Sequence, residues 1–176
     1  MTKKIIAFGA SSSKNSINKQ LATYAAQQFQ NAEVEILDLN DFELPIYSTD
    51  KEKATGIPKL ANEFYTKLGS ADLIIISFAE HNGAYSTAFK NIFDWISRIN
   101  GKTFQEKHML LLATSPGARG GSSVLEIAKN RFPFQGGIVK GSFSLPSFND
   151  NFDDEKGITH EELKNQLVKI IDSIEL

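Results

Sequence analysis

A series of short apolar runs without alternation constrains this chain most. Asp72-Leu73-Ile74-Ile75-Ile76-Ser77-Phe78 is the clearest of them. A strand that is apolar at consecutive positions must be covered on both faces, as when helices flank a parallel sheet. Lys4-Ile5-Ile6-Ala7-Phe8 and His108-Met109-Leu110-Leu111-Leu112-Ala113 read the same way. Val34-Glu35-Ile36-Leu37-Asp38-Leu39 alternates in part, and Gly137-Ile138-Val139-Lys140-Gly141-Ser142-Phe143 is a weaker fifth run.

Helical spacing fills the intervals. Ile17, Leu21, Tyr24, Ala25 and Phe29 predict a helix from Ser16 to Gln30. A second runs from Pro58 to Leu68-Gly69, with proline at its first turn and glycine at its stop. Tyr85, Ala88, Phe89, Ile92, Phe93, Ile96 and Ile99 form one strong stripe. Ser123-Val124-Leu125-Glu126 has capping-box spacing, and Thr159-His160-Glu161-Glu162 is the expected cap of a last helix striped by Leu163, Leu167, Ile170, Ile171 and Ile174. Asn40–Gly56 and Ser147–Gly157 read as loops. Five strand–helix alternations predict an α/β fold in a single domain over residues 1–176, with a parallel sheet in the doubly wound order 2-1-3-4-5.

Three loops follow the first, third and fourth strands, and all are rich in small residues. They are Gly9-Ala10-Ser11-Ser12-Ser13-Lys14-Asn15-Ser16, Ala79-Glu80-His81-Asn82-Gly83-Ala84-Tyr85 and Thr114-Ser115-Pro116-Gly117-Ala118-Arg119-Gly120-Gly121. In the predicted order these strands are neighbours, so the loops line one edge beside the switch point where open α/β sheets bind ligands. Serine hydroxyls and the free N–H groups of a helix start suit a phosphate, although the same serines also make an ordinary helix cap. Asn82-Gly83 reads either as an edge for a heterocycle or as a plain turn, and Tyr85 either as a stacking ring or as the first core residue of its helix. Gly117, Gly120 and Gly121 would let main chain pass close over a flat ligand, or give an ordinary flexible loop. Arg119 would meet a second phosphate or pair with a surface acid. Neither a P-loop nor a G-x-G-x-x-G fingerprint is present, since Ser11 stands where the second glycine belongs.

Composition narrows the chemistry. With no cysteine there are no disulfides, thiolate metal sites or thiol redox couples, so any electron transfer falls to a bound organic cofactor. His81, His108 and His160 make no spaced metal pattern, and no metal is expected. A net charge of -2 gives no electrostatic reason to expect nucleic acid. No apolar run approaches the roughly 20 residues that span a bilayer, so a cytoplasmic protein without membrane contact is expected.

The three loops resemble those of the NADPH-dependent FMN reductases, a flavodoxin-like family that includes chromate, quinone and azo-dye reductases. Gly9 to Asn18 loosely matches the family's G-S-x-R-x-x-S-x-N loop. Ala79 to Tyr85 with Lys90-Asn91-Ile92-Phe93-Asp94-Trp95 matches P-E-Y-N-G-S-Y followed by a K-N-x-x-D-W helix. Ser115 to Gly121 matches S-x-G-x-x-G-G. The first-loop arginine is absent, the proline is Ala79 and the tyrosine is His81, a residue type that titrates near neutral pH.

The resemblance implies a three-layer flavodoxin-like sandwich and an FMN-dependent NAD(P)H oxidoreductase. Hydride would pass by ping-pong from NADPH or NADH to FMN, and on to a quinone, azo dye, free flavin or similar small-molecule acceptor. Carried over, Ser11, Ser13, Ser16, Ile17 and Asn18 hold the FMN phosphate end. Glu80, His81, Asn82 and Gly83 meet the ribityl chain and isoalloxazine, with Ser115 and Gly117 on the ring's other side. His81 is the candidate proton donor. A homodimer or homotetramer is implied. Two other readings stay open: a non-enzymatic electron carrier, and a cofactor-free interaction module of the same fold.

Overall fold

The structure, a computed structural model, describes residues 2–176. Its main sheet holds β1 (Lys3–Ala10), β2 (Ala32–Leu37), β3 (Leu73–Phe78), β6 (Lys107–Thr114) and β7 (Gly137–Leu145), all parallel, in the order β2-β1-β3-β6-β7. In strand count this is 2-1-3-4-5, as expected. Two small hairpins lie outside it, β4 (Glu80–His81) with β5 (Ala84–Tyr85) and β8 (Phe152–Asp153) with β9 (Gly157–Ile158).

Successive residues of β1 feed opposite cores, which is why its sequence does not alternate. Ile6 and Phe8 pack with α3 (Lys59–Gly69), α4 (Thr87–Ile99) and α5 (Ser122–Arg131). Ile5 and Ala7 pack with α1 (Ile17–Gln27) and α7 (Glu161–Asp172). Three layers result, with the aromatic cluster of Phe8, Phe64, Phe78, Phe89 and Phe132 on the first side. Among the described residues no helix is long and apolar enough to cross a membrane.

Several element ends differ from expectation, each for a local reason. The Asn40–Gly56 stretch is not a plain loop: a 3₁₀ turn spans Leu39–Phe42 and α2 spans Thr49–Thr55. Asp38 caps the turn by accepting from Asn40 N–H, which also ends β2 before that residue. Ser48 caps α2, which buries nothing and so carries no apolar period. The Ser147–Gly157 segment likewise holds α6 (Phe148–Asn151) and the second hairpin. The α7 N-cap is His160, with no side-chain bond, so the Thr159 cap is not made.

The K-N-x-x-D-W segment on α4 is architectural. Trp95 is fully buried and donates from Nε1 to the Pro45 carbonyl at 2.7 Å. Asn91 donates to the Leu44 carbonyl and accepts from Tyr47 N–H, while Lys90 and Asp94 pair along the helix at 2.7 Å. Together Asn91 and Trp95 fasten the chain that follows β2.

Gly9 sets how near α1 comes to the sheet. A Cβ there would lie 2.8 Å from Lys19 Cα and 2.9 Å from the Asn18 carbonyl carbon, both main chain. We expect Gly9→Ala to lift the start of α1 and cost about 1–3 kcal/mol, the usual range for overpacking. A urea titration in which the midpoint is unchanged would contradict this.

Candidate functional site

The strands β1, β3 and β6 end level, with Ala10 opposite Phe78 and Phe78 opposite Ala113. All three predicted loops therefore leave one edge of the sheet side by side. One side chain holds that edge together. Asn18, 3% exposed in the first turn of α1, donates from Nδ2 to the Thr114 carbonyl at 3.1 Å. Its Oδ1 accepts from Thr114 N–H at 3.1 Å and from the Ser77 hydroxyl at 2.7 Å. The loop after the hairpin is anchored too: Ser86 caps α4 and donates to the Ala10 carbonyl at 2.7 Å. Thr114 Oγ1 donates to the Leu145 carbonyl, tying in β7.

A cleft of about 180 Å³ opens at this edge. Ser11, Ser13, Ser16, Ile17, Asn18, Glu80, His81 and Ser115, all predicted site residues, line it. Asn15, Ala79, Thr114 and Pro116 complete the wall and were not singled out from the sequence. Asn82, Gly83 and Gly117 lie outside the lining, the first two at the exposed hairpin tip and the third in the exposed loop after β6. Ser11 Oγ accepts from Ser13 N–H at 3.1 Å, and Ser16 is the N-cap of α1, accepting from Lys19 N–H at 3.2 Å. The main-chain N–H groups of Ser16, Ile17 and Asn18 have no acceptor among the described residues. Lys19 is held by Asp38 at 2.6 Å, leaving Lys14 as the cation of this loop.

The hairpin turn has φ +52° at Asn82 and +76° at Gly83, the pair of positive values of a type I′ turn. Tyr85 belongs to the core, its ring 5.2 Å from Phe89 and 5.7 Å from Phe78. Glu80 reaches away from the tip, and its Oε2 accepts from Val124 N–H at 3.0 Å. This explains why the expected Ser123–Glu126 capping box is absent. The α5 N-cap is Gly121, which has no side chain, and Glu80 supplies the missing acceptor from another loop.

Other third-loop residues also serve the fold. A Cβ on Gly120 (φ +55°) would lie 2.9 Å from the Leu145 carbonyl, so close chain packing demands this glycine. Gly121, at φ +73°, is left-handed. Among the described residues Arg119 pairs with no acid, and it donates to the Ser123 hydroxyl at 2.7 Å. Ser77, Ser86 and Thr114 are the supporting residues that sequence reasoning missed. Ser77 did carry a signal, being the one hydroxyl inside the Leu73–Phe78 run.

The family model for NADPH-dependent FMN reductase matches residues 3–150. The chain belongs to that family. It is an NAD(P)H-dependent oxidoreductase with FMN as its cofactor. An uncharacterized Mycoplasma pneumoniae protein, the MG342 homolog, is 32% identical over 90% of this chain and 96% of its own. An NADPH:quinone oxidoreductase of Arabidopsis thaliana is 28% identical over 81% of this chain and 73% of its own. Among solved structures, the FerB flavoenzyme NAD(P)H:(acceptor) oxidoreductase of Paracoccus denitrificans superposes with a TM-score of 0.73 at 22% identity, covering 97% of this chain and 96% of that one. The last likeness concerns the fold.

The sheet edge thus presents open N–H donors and hydroxyls on a braced frame. Two substitutions test the rigidity. Asn18→Ala strands the Ser77 hydroxyl and both Thr114 main-chain groups, and should cost about 3 kcal/mol or more, at roughly 1–3 for each of these three buried groups. Glu80→Ala removes the α5 cap and should cost about 1 kcal/mol, with Glu80→Gln closer to wild type. Denaturant midpoints check both, and an Asn18→Ala protein of full stability would refute the bracing role.

Proposed function

We propose that the serine loop and the start of α1 hold the FMN phosphate, and that the hairpin and the loop after β6 hold the flavin ring. The observation that carries this reading is the array of open N–H groups at Ser16, Ile17 and Asn18, set beside the Ser11, Ser13 and Ser16 hydroxyls on one cleft. A phosphate of about -1.5 to -2 charges finds charge-assisted bonds there without an arginine. Asn18 acts here as a positioning residue, because its amide is already committed to Thr114 and Ser77.

At about 180 Å³ the cleft is smaller than the ~300–1,000 Å³ of usual ligand pockets, which suits the phosphate–ribityl tail. The ring would then lie outward, across His81, Asn82, Gly83, Ser115 and Gly117. FMN held there would supply hydride-transfer chemistry between NADPH or NADH and a quinone, azo dye, free flavin or similar acceptor. The chain contributes position and access. Its hairpin tip is exposed, so donor and acceptor can reach the same open face alternately, as ping-pong turnover requires. His81 is exposed at the cleft rim, and in this reading it would move a proton near the ring. The named quinone oxidoreductase relative supports this choice of acceptor class. A homodimer or homotetramer acting on small molecules belongs to the same reading.

Titration of the purified protein with FMN, followed by flavin fluorescence, tests the site. Wild type should bind at micromolar levels or tighter, and the Ser11→Ala/Ser16→Ala double variant should bind about ten- to a hundredfold more weakly. Failure of wild type to take up micromolar FMN would overturn the reading. In NADPH–quinone turnover, His81→Gln should alter the pH–rate profile. Superimposable profiles would remove the proton role.

A further inference from the structure

The loop after β6 is held from one side by the chain that ends and follows β7. Ser147 N–H donates to the Gly117 carbonyl and Phe148 N–H to the Ser115 carbonyl, each at 3.0 Å. Ser144 Oγ donates to the Gly120 carbonyl at 2.9 Å. Three carbonyls of this loop are thus turned towards the β7 side. The Gly117 carbonyl also accepts from Gly120 N–H at 3.1 Å, which closes the turn within the loop.

Ser147 makes its bond in a conformation that serine rarely adopts. Its backbone is left-handed, with φ +44° and ψ +59°, and its side chain caps nothing. Such a residue is strained and persists only where its surroundings over-determine it. Here they do. Its carbonyl accepts from Asp150 N–H at 2.9 Å and Asn151 N–H at 3.2 Å. Asn151 Nδ2 donates to the Pro146 carbonyl at 2.9 Å, and Phe148, 5% exposed, stacks on Phe152 at 4.6 Å.

The tether sets a direction. A trans peptide points its N–H opposite to its C=O, and every peptide among the described residues is trans. In the sheet β6 lies between β3 and β7. With the Gly117 carbonyl turned to the β7 side, the N–H of the same peptide, that of Ala118, points to the β3 side, from which the hairpin rises. Ala118 is exposed, and its N–H has no acceptor among the described residues.

We propose that Ser147 is a positioning residue for the flavin, holding the Gly117–Ala118 peptide so that Ala118 N–H donates to the ring edge where reduction adds negative charge. The proposal rests on the flavin reading above, and it names what sets the cofactor's electron affinity. A donor already fixed in place stabilises that charge without reorganisation, which a loose loop would have to undergo.

The experiment is the two-electron potential of FMN bound to wild type, Ser147→Asn, Ser147→Val and Ala118→Pro, measured by equilibration with a redox dye. Asparagine tolerates the left-handed region and should keep the wild-type potential, whereas β-branched valine is forced out of it. Ser147→Val and Ala118→Pro should each lower the preference for reduced over oxidised FMN about tenfold, or about 30 mV for a two-electron couple. In flavin-free protein, the amide at position 147 should exchange its hydrogen about tenfold faster in Ser147→Val than in wild type or Ser147→Asn. Should Ser147→Val not fold, Ser147→Thr is a second β-branched variant with the same expectations. Equal potentials in all the proteins, with wild type binding FMN, overturn the proposal and leave the flavin reading standing. Equal losses of affinity for oxidised and reduced FMN overturn it too, since a merely structural role would produce them. Unchanged amide exchange in Ser147→Val removes the tether, and a wild type that takes up no FMN overturns both readings.

Discussion

One side-chain amide, that of Asn18, joins the helix start to the ends of two strands, and the site depends on it. An amide presents a donor and an acceptor with the geometry of a peptide edge, so it can pair with both main-chain groups of Thr114 at once. Its second lone pair takes the Ser77 hydroxyl. The groups joined are buried where a parallel ladder ends, and unpaired they would be costly. Gly9 makes the arrangement reachable by letting α1 lie close against β1. The direction of the open N–H groups at the cleft thus follows from packing beneath it.

Several residues that look like ligand contacts also hold the loops. Glu80 lines the cleft and caps α5, so the hairpin and the third loop are tied through one carboxylate. A helix N-terminus accepts such a charge favourably, and the bond keeps the hairpin from lying free in solvent. Asn91 and Trp95 do comparable work behind the site by fixing the chain after β2. A preorganised site of this kind loses little to reorganisation when a cofactor binds. The hairpin tip itself stays exposed.

How much was legible depends on whether a signal is periodic. The runs in β1, β3 and β6 were plain because burial on both faces removes alternation, and the α4 stripe was plain because it is long. Helix α2 buries no residue, and α6 has four residues, so neither has a period to read. Within the site, the serines, Glu80 and His81 stood out by type and loop position. Ser86 and Thr114 did not, since a single hydroxyl shows nothing of a carbonyl dozens of residues away. Gly120 suggested ligand approach, and the neighbour it in fact accommodates is β7.

From the order of its residues alone, this chain determined its layers, its strand order and the three loops that would share an edge. Those follow from hydrophobic patterning and chain connectivity, which are local or topological properties. Tertiary structure alone decided which side chains remain free there: Asn18 and Arg119 are spent on the protein itself, while the N–H groups of Ser16 to Asn18 stay open. It also set the Ser147 N–H against the Gly117 carbonyl. The physical reason is that hydrogen bonding is a competition among groups brought together by folding, and the winner depends on distances of a few tenths of an ångström.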